Sequence, residues 1–282
     1  MKKIITTIIC IVTCLVTFAL VMPTLVAAGS PTKRVELKDP ASDDFGPGTY
    51  VYPTDTVYAP KSFDLRAVEV LDKGSTLQFK VKLGARIRDP WNSREWDGNG
   101  FSLQFVQIYL DLDHKAASGY TKPLPGLGSV QFKANEAWDK VVLLSPQGKT
   151  RLGAEVRYKA RKMKKDVIIP KVTRARGKTL IAVVPKKALG ARLSTSWGIQ
   201  VVVQSNEGYP DKKDILTRRV NENRGEHRFG GGHDSACDPH VLDILAGKAK
   251  GSRTEVSAQK AALAYTCNKK IATLPMIYLD AR

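Results

Sequence analysis

Polar and apolar residues alternate with a period of two along much of this chain. In Thr76–Leu83, Leu77, Phe79, Val81 and Leu83 share one parity, while Gln78, Lys80 and Lys82 share the other. Successive side chains of an extended strand point to opposite faces, so the segment predicts a strand with one wet face. Across 154–162, Val156 and Tyr158 alternate with Glu155, Arg157, Lys159 and Arg161, which predicts a second such strand. Across 197–204, Trp197, Ile199, Val201 and Val203 alternate with Gln200 and Gln204. Residues 179–184 are apolar at both parities and predict a central strand, covered on two faces. Within 101–113, Phe101, Leu103 and Phe105 hold one parity and Val106, Ile108, Leu110 and Leu112 the other. A β-bulge between Phe105 and Val106 would restore one inward face. Pro170, inside 166–172, has no amide to donate and marks an edge or bulged strand.

Helix signals are sparse. Residues 185–190 predict one turn closed by Gly190. Residues 238–245 predict a short helix with Asp238 as N-cap and Pro239 at its first position. Residues 257–265 predict another. Glycine, proline and aspartate punctuate 43–48, 90–100, 123–128 and 228–232 as turns. Many strands and few helices predict a mostly-β chain, an antiparallel β-sandwich with a few short C-terminal helices.

The first residues depart from this rhythm. Lys2 and Lys3 precede an apolar run from Ile4 to Met22, and the small residues Ala27, Ala28 and Gly29 follow. That order predicts a secretory signal over 1–28, cleaved after Ala28. The run is also long enough to approach a membrane anchor, the rival reading. Residues 29–282 then form one domain, since no Pro/Gly/Ser linker divides them. Cys10 and Cys14 leave with the leader, and Cys237 and Cys267 remain. Two cysteines in an oxidising compartment predict one disulfide.

Charge adds a partner class. The chain carries 45 Lys and Arg against 27 Asp and Glu, a net +18, and only two of those cations lie in the leader. Such a balance attracts anionic polymers at long range. An exported protein meets anionic envelope polymers or lipid headgroups rather than nucleic acid. Arg157, Lys159 and Arg161 fall in the densest basic stretch, and the strand reading places them on one exposed anion-binding face.

Several blocks together resemble the glucodextranase C-terminal domain family of DOMON-like β-sandwiches. Asp39-Pro40, Asp43-Asp44, Gly46-Pro47-Gly48, Tyr52-Pro53-Thr54 and Phe63-Asp64 carry the first part. Pro90-Trp91-Asn92, residues 100–104 and Tyr109-Leu110-Asp111 carry the middle. Gly230-Gly231-Gly232, Asp238-Pro239, Val241 and Asp243 carry the end. The resemblance implies a sandwich, resembling carbohydrate-binding modules, that stands beside polysaccharide-processing enzymes. It implies carbohydrate or cell-surface binding and no catalysis.

Candidate chemistry is limited. Asp39, Asp43 and Asp44, with Asp111 if the N-terminal segment packs on its strand, offer hard oxygen ligands for Ca²⁺. The alternative is that Asp43 and Asp44 shape a turn. Asp111 and Asp113 at i, i+2 stand about 7 Å apart on a strand, between the two separations that glycosidases use. A general acid also needs a raised pKa in a cleft, of which the sequence gives no sign. His233, Cys237 and His240 make three metal ligands at most, and Ser235 stands outside any G-x-S-x-G elbow. A loop pinned by the disulfide explains them better. Trp91, Trp96 and Trp138, with Asn92, lie in or beside loops and suit stacking on sugar rings. The alternative is that they cap the ends of the sandwich.

The resulting expectation is an exported, non-catalytic binding module for polysaccharide or a cell-surface polymer. Its partner would be a separate hydrolase or surface-layer protein. Two other functions fit the fold class: a haem b-carrying subunit of an extracytoplasmic redox complex, and a structural surface or assembly protein.

Overall fold

Two sheets stack face to face in the computed structural model, which describes residues 33–233 and 237–279. The strands are β1 (Arg34–Lys38), β2 (Leu65–Asp72), β3 (Thr76–Leu83), β4 (Gln104–Asp111), β5 (Val130–Phe132), β6 (Lys140–Leu144), β7 (Val167–Ile168), β8 (Val172–Arg176), β9 (Thr179–Pro185), β10 (Gly198–Ser205), β11 (Asp243–Ile244), β12 (Ala272–Leu274) and β13 (Ile277–Tyr278). The helices are α1 (Lys149–Lys159), α2 (Lys186–Leu189) and α3 (Glu255–Leu263). The first sheet has the order β1-β2-β3-β9-β8, and the second β11-β10-β4-β6-β7, with β13 also paired to β10. Every pair is antiparallel except β6–β7 and the separate β5–β12 ribbon. The chain is thus a mostly-β sandwich.

The main core lies between the sheets. Val68, Val70, Phe79 and Val81 from the first meet Val106, Ile108, Ile199 and Val201 from the second, all without exposed surface. Each such burial contributes about 1.5–3 kcal/mol. A second core covers the other face of the second sheet. There Phe105, Tyr109, Val141 and Leu143 pack under α1, α3 and the β5–β12 ribbon.

That second core corrects three expectations. First, β4 is buried at every position and pairs with β10 in unbroken register from Gln104 to Asp111. No bulge is needed, because both parities are inward. Second, Gln200 and Gln204 face no solvent. Gln204 donates to the Gly126 and His240 carbonyls and accepts from Gln107 at 2.6 Å, while Gln200 donates to the Leu245 carbonyl at 2.9 Å. Buried amides survive only with such partners. Third, residues 154–162 are no strand. Their first part is the end of α1, in which Leu152, Glu155 and Val156 are buried at helical spacing. Glu155 pairs with Arg151 at 3.0 Å and with Lys159 at 2.5 Å, both one helical turn away.

The helix expected over 238–245 is absent as well. This run is buried throughout from Asp238 to Leu245, and its last residues supply β11. A segment covered on every side has no wet stripe for an amphipathic helix. Asp238 does not cap a helix; it accepts from the His233 amide and the Tyr265 hydroxyl. Other expectations hold. Gly190 closes α2 at φ 71°, and α3 begins two residues before its predicted start. The strand expected over 166–172 is divided instead: β7 ends at Ile168, Pro170 lies in the connection, and β8 starts at Val172, each an edge strand of a different sheet. Among the described residues no helix is long and apolar enough to cross a membrane. The expected leader, 1–28, lies outside them.

Candidate functional site

The first candidate is a buried acidic centre at one end of the sandwich. Asp39 follows β1, Asp43 and Asp44 lie in the next turn, Asp64 precedes β2 and Asp243 begins β11. Gly46 holds that turn at φ 57°, where a side chain would strike the Tyr50 ring and the Val241 carbonyl. One carboxylate oxygen from each of Asp39, Asp43 and Asp243 lies within 4.8 Å of the others. All five aspartates are buried. Both oxygens of Asp39, both of Asp43 and Oδ2 of Asp64 have no hydrogen-bond donor. Asp243 accepts the Leu65 amide at 2.7 Å and the Ile244 amide at 2.9 Å. Asp44 accepts the Tyr52 hydroxyl. Arg66 pairs with Asp64 at 3.7 Å, and its charge also acts on Asp39 and Asp43. Burial and the neighbouring carboxylates push Asp39 up to about 10 and Asp43 up to about 7. Burial likewise raises Asp44 to about 6 and lifts Asp243 well above the usual range.

Asp111 is not part of this centre. It groups with Asp113 and Asp139 beyond the end of β4, and this second cluster is answered. Asp111 accepts the His114 amide at 2.7 Å and the Tyr278 hydroxyl at 2.5 Å, and Asp139 accepts the Leu112 amide at 2.7 Å. These bonds shape the loop after β4.

The tryptophans separate. Trp138 is fully buried in the second core, its indole donating to the Lys122 carbonyl at 3.0 Å. It therefore offers no ring to a ligand, which corrects the sugar-stacking expectation. Trp91 is half-buried, with the Arg218 guanidinium over its ring at 5.5 Å and His227 against its edge. Trp96 is 36% exposed and donates to the Trp91 carbonyl at 3.0 Å. Asn92 is exposed beside it, at φ 46°. Of the four predicted stacking residues, Trp96 and Asn92 reach solvent most freely.

The basic stretch forms a different surface from the expected one. Because α1 is a helix, Arg157, Lys159 and Arg161 do not share a strand face. Lys159 turns inward, pairing with Glu155 and donating to the Asp214 carbonyl at 2.7 Å. Arg157 stands over the Tyr158 ring at 5.9 Å. The end of α1 and residues 122–131 enclose a groove of about 660 Å³. Tyr158, Met163 and Ile271 give it apolar walls, and Lys122, Arg161 and Lys162 are exposed at its rim. Tyr158 is 67% exposed and Ile271 50%, unusual for large apolar side chains in this chain. Among the described residues, no ion pair engages Lys122, Arg161 or Lys162.

Cys237 and Cys267 form the expected disulfide, with Cα atoms 5.5 Å apart. Their sulfurs are thereby removed from metal ligation beside His233, although the three groups are close. His240 is buried elsewhere, its Nδ1 accepting the Val220 amide at 3.1 Å. Ser235 lies outside the described residues. Asp64 and Asp243 escaped the reading of ligands from the sequence. The signal that marks Asp243 is a charge set between Leu242 and Ile244 in an apolar run, where it must be answered by something.

Among curated proteins none matches the chain. A family profile described as the C-terminal binding-module, SLH-like, of glucodextranase matches residues 35–277, from the first strand to the last. That match spans both sheets and the layer over the second core, so the chain belongs to this glucodextranase C-terminal binding-module family.

Proposed function

We propose that the chain is a non-catalytic module that binds an anionic polysaccharide or similar cell-surface polymer along the groove between α1 and residues 122–131. Membership of a binding-module family across 35–277 is the observation that carries the reading. The groove supports it chemically. The exposed Tyr158 ring offers a flat apolar face to a sugar ring, and Lys122, Arg161 and Lys162 offer cations to carboxylates or phosphates. Without the two leader lysines, 43 cations against 27 acidic side chains leave about +16, which draws such a polymer in from solution. In this reading the leader exports the chain, residues 29–282 work as one domain, and a separate hydrolase or surface-layer protein is the partner.

Affinity electrophoresis through gels containing alginate, an anionic polysaccharide, or dextran, a neutral one, tests this. The wild type should be retarded by alginate more than by dextran, and less so at high salt. Tyr158→Ala and the double change Arg161→Ala, Lys162→Ala should each weaken retardation at least about fivefold, near 1 kcal/mol. Retardation by neither gel, or variants that migrate like the wild type, would overturn the groove assignment. Loss in Trp96→Ala with Tyr158→Ala unaffected would move the site to the loop at 90–97.

A further inference from the structure

We infer that Asp39, Asp43 and Asp243 hold one calcium ion, with Asp64 beside it, and that this ion ties the two sheets together at the acidic end. The inference stands on three independent features of that end. First, oxygens within 4.8 Å of one another fit a common cation at about 2.3–2.6 Å from each. Second, four oxygens on Asp39 and Asp43 are buried with no donor, while Asp64 Oδ2, also without a hydrogen bond, has the Arg66 guanidinium at 3.7 Å. Buried carboxylates in proteins almost always have partners, and an ionised one without any is among the costliest groups to bury. Third, the neighbouring carboxylate is answered in another way. Glu255 accepts the Lys248, Lys250, Gly251 and Ser252 amides. The fold thus supplies donors to acids it means to satisfy by itself, and supplies none to Asp39 and Asp43.

The positions of the ligands give the ion a structural task. Asp39 directly follows the first strand of the first sheet, Asp64 leads into the next, and Asp243 begins an edge strand of the second. The Leu65 amide fixes Asp243 from the first sheet, so the carboxylate already bridges the layers. The Asp43 carbonyl accepts from Gln259 of α3, which brings the helix to the same point. The donor set is all oxygen, with neither histidine nor cysteine, which favours a hard cation. Calcium suits it better than magnesium, because magnesium keeps several waters and this centre is buried.

Isothermal titration of CaCl₂ into the EDTA-stripped full chain, with thermal melts in parallel, tests the inference. Binding at one ion per chain should appear, with a melting temperature that rises and saturates as CaCl₂ is added. Asp39→Asn and Asp43→Asn break no side-chain hydrogen bond, so both should fold and lose at least about tenfold in affinity. Asp111→Asn, in the other acidic cluster, should bind as the wild type does. No saturable binding at millimolar CaCl₂ by folded wild type would overturn the inference. So would unchanged binding in both Asp39→Asn and Asp43→Asn, or an equal loss in Asp111→Asn. None of these results bears on the polymer groove, which is read out separately.

Discussion

His240 carries its backbone at φ 53°, has no exposed ring edge to speak of, and leaves Nε2 buried without a hydrogen bond. Burial, with Arg219 and Arg228 nearby, pushes its pKa down to about 3. The unfolded imidazole titrates at about 6.5. The folded protein therefore takes up the proton less readily than the unfolded chain does. Stability from this group is complete above the unfolded pKa and is lost as pH falls towards about 3. The slope approaches about 1.4 kcal/mol per pH unit for one proton. His240→Asn keeps an acceptor for the Val220 amide and tolerates the positive φ. In urea unfolding at descending pH, wild type should lose ground against His240→Asn; parallel curves would show that His240 is not the group responsible. Nothing in the sequence separates this histidine from His233. Its burial comes from segments distant along the chain, which local pattern does not report.

At the scale of the element, α1 is the main departure from the sequence reading. Two apolar residues at i, i+2 fit a strand, whereas Leu152, Glu155 and Val156 follow the helical period. The two assignments make opposite claims about Tyr158. A strand would bury it beside Val156; the helix leaves it 67% exposed. Leu152→Ala should therefore cost about 2–4 kcal/mol, while Tyr158→Ala should stay within about 0.5 kcal/mol of wild type. Denaturant midpoints at constant slope would measure both, and the reverse order would restore the strand. Four apolar residues at one parity place β3 at the predicted bounds, whereas Pro170 divides the expected strand at 166–172 into two short edge strands. The run 238–245 failed for a physical reason: an apolar segment buried on all sides looks the same whether it coils or extends.

Across the whole molecule, the disulfide braces the C-terminal third. Cys237 and Cys267 are separated by 30 residues and enclose β11 and α3. Closing a loop of that length restricts the unfolded chain by about 3–4 kcal/mol. Replacing both cysteines by serine should lower the unfolding free energy by that order, and reducing agent should do the same to wild type. A loss below about 1 kcal/mol in both experiments would mean that the loop is held by packing alone. The candidate groove has the same long-range origin. Lys122 and Arg161 are far apart in sequence, and meet because α1 packs over the second sheet.

Several properties were determined by the sequence alone. Period-two alternation predicted half-buried strands and, with sparse helix signals, a mostly-β sandwich. Composition established the basic charge, and the two cysteines that follow the expected leader predicted one disulfide. The ordered blocks from Asp39 to Asp243 pointed to the family. Tertiary structure decided which charges stand together. It joined Asp243 to Asp39 and Asp43 while placing Asp111 in a separate cluster, and it closed Trp138 inside a second core. The reason is that alternation records which side of a strand is dry, but not which distant segment dries it. Both the acidic centre and the groove are made where such segments meet.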